Sequence, residues 1–113
     1  MTDLGSFDRL SAALAHLGAT IDARAAAADT SSSWTAKLLA KGPDACAAKV
    51  HEEGQELAEA VIHESDERVA SEAADVLYHA LVALRARGVS LDDVAAALEA
   101  RQGTSGIDEK AGR

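Results

Sequence analysis

A chain of 113 residues has room for one domain, whose single core removes roughly two-thirds of the unfolded surface from water. Aromatics make up 3% of it (Phe7, Trp34 and Tyr78) while alanine and leucine abound, which favours helices over strands. A formal charge of −8 excludes non-specific binding to nucleic-acid backbones, and the single cysteine, Cys46, excludes an internal disulfide or a CxxC metal site.

The periodicity predicts a first helix from about Ser6 to Ala28, with Phe7, Leu10, Leu14, Leu17 and Ile21 on one face and Gly18 weakening its middle. Asp29-Thr30-Ser31-Ser32-Ser33 reads as a polar loop, and Trp34 to Ala40 as a short helix or turn carrying Lys37 and Lys41. Gly42-Pro43 follows, with Pro43 suited to the first turn of a helix reaching about His63. Its apolar line is Ala47, Val50, Gly54, Leu57 and Val61. Glu64-Ser65-Asp66 reads as a turn. The next helix, from about Glu67 to Arg87, has Val69, Ala73, Val76, Leu77, Ala80, Leu81 and Leu84 as its expected core face. Gly88 should stop it, and Ser90 should cap a last helix from Leu91 to about Arg101, with Asp92 and Asp93 in its first turn.

The expected architecture is therefore all-α. It is a bundle of about four helices built on a long antiparallel pair, which cannot bury both apolar faces alone and is completed by dimerisation. One domain spans 1–102 and a flexible tail 103–113. No stretch approaches the roughly 20 apolar residues that span a bilayer. With no cleavable signal pattern at the N-terminus, a cytoplasmic protein without membrane or nucleic-acid partners is expected.

The chemistry lies in the acids. In Glu52-Glu53-Gly54-Gln55-Glu56, carboxylates recur at helical-neighbour spacings, and Glu72, Asp75 and His79 on the next helix fall within roughly 60° of one another. Lys49, Glu53 and Glu56 form the matching stripe, with Glu52 at its edge. Both stripes are expected to lie off the apolar faces and to border one groove if the helices pack as a hairpin. Carboxylates so close repel unless a cation compensates them, and Mg²⁺ takes hard oxygen ligands while keeping waters and phosphates in its shell. One remaining carboxylate, Glu52 or Glu53, could position or deprotonate a water. The plain alternative is a solvated acidic face on a non-catalytic helical interaction module, with His79 simply hydrogen-bonded at the bundle's edge.

The order Glu52-Glu53-x-x-Glu56 and then Glu72-x-x-Asp75 resembles the all-α nucleoside triphosphate pyrophosphohydrolase (MazG-like) superfamily. Within it, several segments resemble the phosphoribosyl-ATP pyrophosphohydrolases of histidine biosynthesis. They are Ser33-Trp34-Thr35-Ala36-Lys37-Leu38-Leu39, Lys41-Gly42-Pro43, Lys49-Val50-His51-Glu52-Glu53 and Ala73-Ala74-Asp75-Val76-Leu77-Tyr78-His79, followed by Arg87-Gly88-Val89-Ser90-Leu91-Asp92-Asp93-Val94. The resemblance covers residues 30 to 102 and departs at Trp34, commonly tyrosine, at His51, usually small, and at Gly54-Gln55, usually apolar. The first 28 residues show little of it.

It implies Mg²⁺ held by Glu53, Glu56, Glu72 and Asp75, with Glu52 or Glu53 serving the water. It also implies hydrolysis of phosphoribosyl-ATP between its α and β phosphates. Lys37, Lys41 and Lys49 become candidates for the phosphates, Trp34 for stacking on adenine, and His79 for a further substrate contact. A homodimer is the expected assembly. The rival within the superfamily is an enzyme that clears non-standard nucleotides.

Overall fold

The computed structural model describes the backbone of residues 4–103 and the side chains of residues 7–103. Five helices follow one another: α1 (Leu4–Ala27), α2 (Trp34–Lys41), α3 (Pro43–His63), α4 (Asp66–Arg87) and α5 (Leu91–Ala100). The all-α expectation holds, and the short Trp34 segment is itself a helix. Residues 104–113 of the expected tail lie outside the described residues.

Local chemistry accounts for each boundary. The Asp29 carboxylate accepts hydrogen bonds from the Ser31 amide at 3.1 Å and from the Ser31 and Ser32 hydroxyls at 2.6 Å each, closing the turn after α1. These bonds pull its carboxyl down from 3.8 to about 2, the Ser31 hydroxyl contributing most. Ser33 caps α2 by accepting from the Ala36 amide at 3.0 Å. Gly42 makes the corner into α3 at φ +96°, a left-handed value that favours glycine, and Pro43 opens the helix. Ser65 caps α4, so Asp66, expected in a turn, is already helical. At its end the Gly88 and Val89 amides both reach the Leu84 carbonyl. Ser90 and Asp93 form a reciprocal capping box at the start of α5.

The core gathers at one end of the α3–α4 pair. Ile21 of α1, Leu38 of α2, Cys46 of α3 and Val82 of α4 are buried together, with Leu17, Leu39, Tyr78 and Leu81 packed around them. Cys46 donates to the Leu38 carbonyl at 3.4 Å, and burial pushes its thiol pKa up, so it is a packing residue. Gly18 lets α5 approach α1, since a Cβ there would stand 3.3 Å from Leu91 Cδ1.

The inward faces of the long pair differ from expectation. The buried residues of α3 are Cys46, Glu53 and Ala60, and those of α4 are Glu72, His79 and Val82. Val61 stands 64% exposed and Leu77 37%. Glu53, Glu72 and His79 of the acidic stripes thus face into the pair rather than lying off it, while Glu56 and Asp75 stay exposed. Helices α1 and α2 pack at the core end of the pair, and among the described residues Val61 and Ile62 at its other end stay exposed.

Candidate metal centre

Three carboxylates of α3 and two of α4 converge midway along the pair. Glu52, Glu53 and Glu56 place one oxygen each within 4.8 Å of the others, and so do Glu53, Glu72 and Asp75. Glu53 belongs to both groups and joins them. It and Glu72 are 7% and 5% exposed, whereas Glu52, Glu56 and Asp75 open to solvent.

Such a cluster is electrostatically costly, and the structure shows where the cost falls. The Glu56 carboxyl is held above its ordinary value, first by a hydrogen bond to Glu53, then by the charge of Glu53, with desolvation and Glu72 adding. Lys49 offsets part of the charge on α3, 3.4 Å from both Glu52 and Glu53. Desolvation lowers its ammonium pKa, but bonds and charges from Glu52 and Glu53 outweigh that and hold it high. On α4 the Arg68 guanidinium lies 2.6 Å from Glu72 Oε1 and 3.2 Å from Glu64. Glu72 Oε2 remains buried with no hydrogen-bond partner. An orphaned carboxylate oxygen beside two further acids suits a hard divalent cation, so the donor set fits Mg²⁺.

His79 is buried one turn beyond Asp75. Its Nδ1 lies 2.8 Å from the Asp75 carbonyl, and because a carbonyl only accepts, Nδ1–H is the donor. In the neutral ring Nε2 then keeps a lone pair, and that buried atom has no partner. The Tyr78 ring meets His79 edge-on at 4.8 Å between centroids. The Tyr78 hydroxyl pairs with that of Thr35 at 2.5 Å, tying α2 to the chemical face of α4.

The substrate candidates divide. Trp34, 48% exposed, has Lys41 Nζ 5.8 Å and Lys49 Nζ 5.9 Å from its ring centroid. Lys49 therefore links the indole to the acids. Lys37 is exposed and stays outside this group. A cavity of about 500 Å³ lies elsewhere, between α1, the end of α4 and the start of α5, lined by Gly18, Leu84 and Leu91 among others. None of the five acids lines it.

Two features escaped the sequence reading. Arg68 had a signal, since it stands one helical turn before Glu72. The Thr35–Tyr78 bond had none, because pairing across helices leaves no mark on local spacing.

Comparison with known proteins matches residues 14–102 to the family model described as Phosphoribosyl-ATP pyrophosphohydrolase. The match begins inside α1, so that helix carries family signal that the sequence reading did not find in it. The chain is 60% identical to a phosphoribosyl-ATP pyrophosphatase of Cereibacter sphaeroides over 88% of its own length and 96% of the relative's. A protein of that name from Ruegeria pomeroyi is 57% identical, over 88% and 94% of the two chains. One from Jannaschia sp. is 54% identical, over 88% and 97%.

Proposed function

The chain belongs to the phosphoribosyl-ATP pyrophosphohydrolase family, and from that premise we propose that it hydrolyses phosphoribosyl-ATP to phosphoribosyl-AMP and pyrophosphate in histidine biosynthesis. The observation that carries the reading is the convergence of five carboxylates from α3 and α4, with a buried oxygen of Glu72 left unpartnered.

Glu53, Glu56, Glu72 and Asp75 are the residues that would hold Mg²⁺. A bound Mg²⁺ would neutralise phosphate charge and acidify a neighbouring water. The chain's own groups do the rest. Glu52, exposed at the rim, would take the proton from the water whose attack on phosphorus breaks the bond between the α and β phosphates. Lys49 and Lys41 bring positive charge to the phosphate chain, and Trp34 beside them offers an aromatic face to the adenine. Lys37 is a more distant phosphate contact. His79 Nε2 is an acceptor for a substrate hydroxyl or amino group.

The active unit is proposed to be a homodimer. Val61 and Ile62 near the end of α3 are 64% and 71% exposed, apolar surface that a second copy would bury. No described helix is long and apolar enough to cross a membrane. The cytoplasmic location is part of the proposal and follows from the biosynthetic role. Pyrophosphate release from phosphoribosyl-ATP, compared with a panel of NTPs and dNTPs with and without Mg²⁺, tests the whole reading. Preference for the panel would point instead to clearance of non-standard nucleotides.

A further inference from the structure

Arg68 answers Glu64 one turn before it at 3.2 Å, but that local pair does not account for its reach to Glu72. It sits in the first turn of α4, where the helix dipole disfavours a cation. Its bond to Glu72 runs from a basic residue to an acid one turn later, the weaker order for such a pair. Yet the contact, at 2.6 Å, is the shortest of the ion pairs described for this chain. It also joins unlike environments, since the Arg68 side chain is 57% exposed and that of Glu72 6%. The guanidinium reaches inward from solvent to one oxygen of a buried acid, and the other oxygen of that acid is unpartnered.

We propose that Arg68 is a substrate-binding residue with two anionic partners in turn. It neutralises Glu72 while the acidic centre lacks a divalent cation, and it passes to the phosphate chain of the nucleotide when cation and substrate arrive together. The inference rests on the cation-site reading above. A dication among Glu53, Glu72 and Asp75 takes over the charge of Glu72 and repels the guanidinium at the same time. The nearest new anion is then the phosphate chain, which the planar fork of arginine engages through two parallel N–H donors where a lysine brings a point charge. The contact left behind to Glu64 is a surface one and cheap to exchange, and the buried Glu72 carboxylate is compensated by the cation when the guanidinium leaves it.

Arg68→Gln, Arg68→Lys and the wild type, each checked for folding by circular dichroism, test this in two ways. Mg²⁺ titration of the substrate-free proteins by calorimetry should show Arg68→Gln binding about tenfold more tightly than wild type, because a competing cation is gone. Steady-state kinetics should show its KM for phosphoribosyl-ATP raised about tenfold, with kcat changed much less. Arg68→Lys should return Mg²⁺ affinity towards wild type while recovering only part of the KM. Unchanged or weaker Mg²⁺ binding in Arg68→Gln overturns the proposal, and so does tighter binding with an unchanged KM. A wild type that neither binds Mg²⁺ nor releases pyrophosphate overturns the parent reading and this inference together. A working wild type with an indifferent Arg68→Gln overturns this inference alone.

Discussion

Glu53 of α3 and Glu72 of α4 are both buried against one another's helices, and each offers an oxygen to a group less than 4.8 Å across that Asp75 completes. Without a cation this is a site of repulsion; with one it is a binding site. Glu72→Gln should therefore leave the metal-free fold as stable as wild type or more so. It should also lower Mg²⁺-dependent pyrophosphate release by roughly 10²-fold or more. Parallel melts and rates measure both, and a Glu72→Gln protein that keeps wild-type activity excludes the acid as a ligand.

Magnesium should stabilise the folded protein in the absence of substrate. At a hundredfold excess over Kd, one bound cation adds about 2.7 kcal/mol. For a domain of this size that is a Tm rise of roughly 10 °C or more. EDTA should reverse it. A Tm indifferent to both would leave the acids merely solvated.

Trp34 is the one tryptophan of the chain, so its fluorescence reports a single position. The Lys41 and Lys49 ammoniums lie 5.8 and 5.9 Å from its ring centroid. Nucleotide binding should shift or quench its emission, and Trp34→Ala should raise KM roughly tenfold with a smaller effect on kcat. An emission unchanged at saturating substrate would place the base elsewhere.

Two carboxyls give pH dependences of opposite sign. Asp29 has a folded pKa of about 2, below its ordinary 3.8, so its contribution to stability is present above 3.8 and lost as pH falls towards 2. The Tm difference between wild type and Asp29→Asn should accordingly be full at neutral pH and vanish near pH 2. Glu56 has a folded pKa above its ordinary 4.5, so the folded state holds its proton more tightly and loses stability as pH rises through that range. Metal-free Glu56→Gln should melt above wild type at neutral pH, and the gap should close as pH falls below 4.5. A gap that widens on acidification would reverse the sign assigned to Glu56.

Gly54 lies inside α3, and a Cβ built there meets nothing within 4 Å. Gly54→Ala should raise the stability of the chain by about 1 kcal/mol, the cost of a helical glycine. Sedimentation should show the dimer proposed above, and Val61→Asp with Ile62→Asp should dissociate it. A loss of stability in Gly54→Ala, measured by denaturant unfolding, would mean that another chain covers this flank.

What the sequence determined by itself is local. Pro43 and His63 bound α3 as read, Gly88 stops α4, and Ser90 caps α5, because each signal acts within one turn of its own backbone. The neighbourhood of Glu53 with Glu56, and of Glu72 with Asp75, followed in the same way from helical spacing. Tertiary structure decided which face turned inward. Periodicity places Ala47, Val50, Leu57 and Val61 on one line of α3 and Cys46, Glu53 and Ala60 on the next, and burial is usually assigned to the more apolar of the two. Here the line with the glutamate went inside, as did Glu72 and His79 on α4. Burying acids is favourable only when partners reach them: Lys49 and Arg68 now, each one turn away on the acid's own helix, and a cation when one is bound. Those two pairs follow from helical spacing, whereas the approach of Glu53 to Glu72 across α3 and α4 and the Thr35–Tyr78 bond from α2 to α4 are pairings in space. Spacing along a single helix carries no record of such cross-helix contacts, so the site's components were legible in the sequence and its inward placement was not.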